Sequence, residues 1–242
     1  MNCNIIIFLI LILILIINLK HIFNNKVKYY FLNKNELSYI LLQDKDKFYT
    51  SLSNKNLLLR NITNKDNFLK SISKHLYTLS DKEKYIITKA IKKADKKLKK
   101  IKYPGFNYLK LKNYNWIIGC SIGDKYEFGY PHTRNNIIIL NYNNNVYDKN
   151  LYKTLIHERV HIYQKLFPND IKLFLQYFQF KKIKLQNEDN LANPDTDEYI
   201  YSLNNNNFEC IIKNNLDLNY TDNNYKCEHP YEFMAYLISE NS

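Results

Sequence analysis

Residues 154–164 read TLIHERVHIYQ, and the reading of the whole chain turns on them. Residues four apart on an α-helix share a face and lie one turn apart. His157 and His161 have that spacing. Two imidazoles so placed can converge on one cation at about 2.0–2.1 Å, as at a zinc centre. Glu158, directly after the first histidine, then reaches a water on that cation and acts as general base, while the metal lowers the water's pKa and polarises a carbonyl. With six His and ten Glu in 242 residues, chance yields on the order of 0.006 such matches. The competing reading is a pair of surface histidines on an ordinary helix.

The flanking pattern supports a helix behind strands. WIIGCSI from Trp116 and NNIIILNY from Asn135 read as strands, joined by a glycine-containing loop that ends in YPHTR. Asn143–Asn145 makes a turn, and a helix is expected from about Asp148 to Phe167, stopping before Pro168. A second helix is expected from Asp170 to about Leu185. The loop NPDTD follows, then EYIYSL and FECIIK as a hairpin around NNNN. HPYEFMAYLISE closes the chain as a helix with Pro230 in its first turn. Upstream, the apolar spacing predicts helices over about 66–79 and 80–101. The second opens on the capping-box pattern Ser80-Asp-Lys-Glu83, ends at Pro104-Gly105 and carries an almost solid lysine face.

The net charge of +12 suggests a nucleic-acid partner, but of 35 basic residues only three are Arg. Arg is the usual choice for bidentate phosphate contacts, and the Asn, Lys, Ile and Tyr excess has the look of an AT-rich genome. Nucleic acid is therefore not the expected partner. The run IIIFLILILILII at 5–17, extended to about residue 23, reads as an uncleaved single-pass anchor, since no small-x-small cleavage site follows. The lysines after it favour a cytoplasmic domain only weakly. Four cysteines form no CxxC pair. Cys210 and Cys227 are either a disulfide or two free thiols.

The stretch around HERVH resembles the signature of the zincin metallopeptidases, in which a strand borders the substrate cleft and the HExxH helix lies behind it. Arg159 departs from that pattern, where the position is normally uncharged. No third His follows at the metzincin interval, so the third ligand lies further on. Glu232, three residues before Ala235 in HPYEFMAYL, resembles the ligand helix of gluzincins. Glu209, Glu198, Asp195 and His229 are the alternatives. Tyr236 stands where some of those families place a buttressing Asp. In this order, PHTR, HERVH, NPDTD and HPYE also resemble uncharacterised zinc metallopeptidases of large DNA viruses, over roughly residues 103–242.

The expectation is an α+β, zincin-like chain. It has a small antiparallel or mixed sheet, an HExxH helix and a helical C-terminal lobe, preceded by a transmembrane helix at 5–23 and a mostly helical region at 24–102. Zn²⁺ would be held by His157, His161 and Glu232, with Glu158 as base and a peptide or protein as substrate. His132, Arg134 and Tyr199, with Tyr201 behind them, are candidate contacts to substrate or oxyanion. Asp195 or Asp197 would orient a ligand histidine through its second ring nitrogen. A non-catalytic, membrane-tethered zinc-binding protein is the alternative.

Overall fold

A computed structural model describes residues 27–212, 218–220 and 228–242. The anchor read at 5–23 and Cys227 of the Cys210–Cys227 pair lie outside the described residues. Among the described residues no helix is long and apolar enough to cross a membrane.

The chain is α+β. Its centre is a four-stranded mixed sheet built from β1 (Tyr29–Phe31), β2 (Trp116–Ser121), β3 (His132–Arg134) and β4 (Ile137–Asn141), in the order β1-β2-β4-β3. β1, β2 and β4 run parallel, and β3 is antiparallel on the edge. β1 comes from the region read as helical and adds a strand to the sheet. β4 is buried at all five positions, as a strand covered on both faces must be. Its alternate residues feed two cores: Ile138 and Leu140 pack on one side, Ile137 and Ile139 on the other.

The first core is covered by α5 (Asp81–Leu98), α6 (Leu151–Leu166) and α8 (Pro230–Glu240). α5 starts on Ser80 with the expected capping box and buries Ile87, Ile91, Ala94 and Leu98 along one stripe. The second core is covered by α1 (Lys34–Leu42), α2 (Phe48–Ser51), α3 (Asn54–Leu59) and α4 (Lys65–Ser71), through Leu37, Leu41, Tyr49, Leu57 and Phe68. Gly119 of β2 faces α1, and a Cβ there would lie 2.7 Å from Leu37 Cδ2. The expected helix over 66–79 is shorter than read. α4 passes into a 3₁₀ turn at Ile72–His75, and Leu76 bridges back to Ser121.

Two expectations for the C-terminal part are corrected. The helix read over 170–185 is α7 (Pro168–Tyr177), which ends before Gln179 turns left-handed (φ 61°), and β5 (Lys181–Leu185) follows. The hairpin is β6 (Tyr199–Leu203) with β7 (Asn206–Phe208), turned on Asn204 and Asn205, both at positive φ. β8 (Cys210–Ile212) pairs instead with β9 (Leu218–Tyr220). Among the described residues after α7, the chain is thus strand-rich and contributes one helix, α8, in place of a helical lobe.

Candidate metal centre and cleft

α6 packs along α8, and this pairing brings three side chains together. His157 Nε2 lies 3.0 Å from His161 Nε2 and 3.1 Å from Glu232 Oε2. Glu232 Oε1 is 3.5 Å from His161 Nε2. Among the described residues these three form a group able to hold a metal ion, with ligand atoms within 4.8 Å of one another. Donors about 2.0–2.1 Å from a tetrahedral cation would be roughly 3.3 Å apart. The spacing fits.

The chemistry of the donors fits too. Gln164 Nε2 donates to the Tyr231 carbonyl at 2.9 Å, so Gln164 Oε1 faces His161 Nδ1, 2.8 Å away, and accepts its proton. A neutral His161 therefore presents a bare lone pair at Nε2. That lone pair meets a second imidazole and a carboxylate, a place that suits a shared cation or a proton. Burial opposes the charge on His161, but Glu232 and Asp195 outweigh it and push the imidazole up to about 10. Burial would likewise raise Glu232, yet His161 and His157 hold it well below the usual carboxylate range.

Glu158 is 2% exposed and its Oε2 has no partner. Burial, then the charges of Asp195 and Glu232, push its carboxyl well above the ordinary value. It lines a cleft of about 610 Å³ together with His157, Glu232, His132, Asn193 and Tyr236. Asn193 Nδ2 donates to Glu232 Oε1 at 3.0 Å and to Glu228 Oε1 at 3.3 Å. The Tyr236 ring stands edge-on to His157, 4.5 Å between centroids, at the position noted above for a buttressing Asp.

The remaining sequence candidates are placed elsewhere. Arg134 is 1% exposed and bonds Asp44 and Asp46 at 2.5–2.8 Å, stacked on Tyr49, so it is a structural cation and not a cleft donor. Tyr199 lies beneath Lys182 on the β5–β6 sheet and does not line the cleft. Tyr201 donates to Asp197 at 2.7 Å. His132 does line the cleft, but its Nδ1 donates to the Tyr130 carbonyl at 3.0 Å and burial lowers its pKa. The neutral ring thus offers an acceptor at Nε2, the wrong polarity for an oxyanion.

Neither aspartate of NPDTD orients a ligand histidine. Asp195 accepts from Thr133 and Lys165. Asp197 accepts from His229 Nε2 at 3.0 Å, and His229 Nδ1 caps α8 through Tyr231 N–H. The residue that does hold a ring nitrogen, Gln164, was missed, although its place three residues after His161 on the same helix face was a usable signal.

Arg159 faces away from the cluster. It is 1% exposed, lies over the Trp116 ring at 4.7 Å, and donates to the carbonyls of Leu111, Tyr114 and Asn115. Arg60, the third arginine, was not singled out from the sequence. It is also buried and pairs with Glu127 at 2.9 Å. Comparison with family models, with curated proteins and with solved structures gave no match.

Proposed function

We propose that this chain is a zinc-dependent peptide hydrolase of the zincin kind, tethered to a membrane by its N-terminal apolar segment. The observation that carries the reading is the convergence of His157, His161 and Glu232 on one point, with Glu158, whose buried Oε2 has no partner, lining the same cleft. A donor set of two imidazoles and one carboxylate suits zinc among the common divalent ions and leaves a coordination position open. When bound, the metal supplies Lewis acidity, acidifying water and polarising a carbonyl.

The rest is done by the protein. Gln164 fixes the tautomer of His161 and its ring plane, and Asn193 orients Glu232. Glu158, whose carboxyl is held up by burial and by neighbouring negative charge, comes down in pKa when positive charge enters the cluster. Its carboxylate then takes a proton from the attacking water and returns it to the leaving amine.

The test is Glu158→Gln in the zinc-loaded protein, with metal content and peptide cleavage measured together. The reading expects one zinc retained and cleavage lost by at least a hundredfold. Unchanged cleavage removes Glu158 from the mechanism. A wild-type protein that holds zinc and cleaves no peptide leaves the non-catalytic, tethered zinc protein as the function. Absence of bound zinc ends both readings.

A further inference from the structure

The β3 edge of the central sheet is sealed by the protein itself. β3 pairs with β4 alone, so its outer side is where an extended peptide would add a strand. Backbone groups alternate along an antiparallel strand, and at Thr133 they point outward. Both are taken. The Thr133 N–H donates to the two Asp195 oxygens at 3.1 and 3.0 Å, and its carbonyl accepts from Lys165 Nζ at 2.8 Å. Thr133 Oγ1 donates to Asp195 as well, and Lys165 pairs with Asp195 at 2.9 Å.

The neighbouring outward positions offer no further donor within the strand. Pro131 has no N–H, and Asn135 leaves the strand in a left-handed turn (φ 54°). A peptide laid along β3 would find no free backbone donor. Opening the clasp would strip a buried carboxylate of its three Thr133 bonds and leave it Lys165 alone, since Asp195 and Thr133 are both buried. The segment from Leu191 to Asp195 forms one wall of the cleft and is tied to Glu232 through Asn193. The space between these walls, about 610 Å³, is the size of a small-ligand pocket, which runs to roughly 300–1,000 Å³.

We infer that the cleft takes short peptides or chain ends, and not internal stretches of an extended polypeptide. This rests on the peptide-hydrolase reading, deepening it to a substrate class. Specificity then comes from the residues around the metal cluster, with β3 serving as a wall and not as a template.

The experiment gives the zinc-loaded full chain two substrates: a mixture of peptides of four to eight residues, and a long unfolded polypeptide blocked at both ends. Products are read by mass spectrometry. The inference expects the short peptides to be cleaved and internal bonds of the long chain to be cut at least a hundredfold more slowly per bond. A smaller difference overturns it. If neither substrate is cut, the hydrolase reading fails by itself, and binding to the zinc-loaded Glu158→Gln chain decides the inference. Binding of the short peptides without the blocked long chain sustains it, whereas equal binding, or none, overturns it.

Discussion

Replacing Arg159 by methionine removes the one charged residue that sets HERVH apart from the pattern it resembles. The guanidinium makes three hydrogen bonds, to Tyr114 O at 2.6 Å, Asn115 O at 3.1 Å and Leu111 O at 3.3 Å. Hydrogen bonds from a charged donor contribute about 1.5–3 kcal/mol each, and of the residues that accept them Leu111 is buried while Tyr114 and Asn115 are exposed. Against this, burial lowers the guanidinium from its usual 12.5 to about 10, which costs the charged form roughly 3 kcal/mol that methionine would relieve. The balance is a loss of about 1.5–6 kcal/mol. In a chain of this size that lowers Tm by roughly 3–24 °C. Urea unfolding of the two proteins measures it, and Arg159→Lys should recover only part, since an ammonium cannot span three carbonyls as a planar fork does. Zinc stoichiometry should be unchanged where the variant is folded. A loss below about 0.5 kcal/mol, within the range of ordinary surface changes, would refute the assignment of Arg159 as the pin between α6 and the 111–115 loop.

Other consequences are equally open to measurement. Burial would raise Glu127, but Arg60 outweighs it and holds the carboxyl below its ordinary value. Its contribution is therefore complete above the unfolded pKa of about 4.3 and lost as pH falls through the folded value. The stability gap between wild type and Glu127→Gln, read by urea unfolding, should be constant from pH 6 to 8 and close on acidification below about pH 4. Gln164→Ala should keep the fold and weaken zinc binding about 10–100-fold by competition with a chelator, because His161 loses its orienting acceptor. Gly105 sits at φ 76°, where an added Cβ would lie 2.7 Å from Asp170 O and 2.8 Å from Phe174 N. Gly105→Ala should thus cost more than the about 1–3 kcal/mol of left-handed strain alone, again by denaturant unfolding.

The parts of this structure legible in the sequence are those fixed by local pattern. HERVH falls on a helix, β2 and β4 fall on apolar runs, and α5 begins at its capping box. Glu232 was picked out through a family resemblance, and the packing of α6 on α8 brings it to the two histidines. What escaped is non-local. Lys181–Leu185 was merged into the preceding helix because the break at Gln179 carries no Gly or Pro to announce it. Arg134 was expected at the cleft, yet Asp44 and Asp46 lie some ninety residues away and nothing near the arginine signals them. Lys165, one lysine in a lysine-flooded chain, gave no hint that it closes the edge of β3.

The central claim is that His157, His161 and Glu232 hold one divalent metal ion, and calorimetric titration of Zn²⁺ into the metal-free wild type and Glu232→Ala tests it most directly. The account predicts one site per chain in the wild type and a loss of affinity of at least a hundredfold in the variant, with the fold retained by circular dichroism. Equal binding by the two proteins, or no saturable site in the wild type, would contradict it.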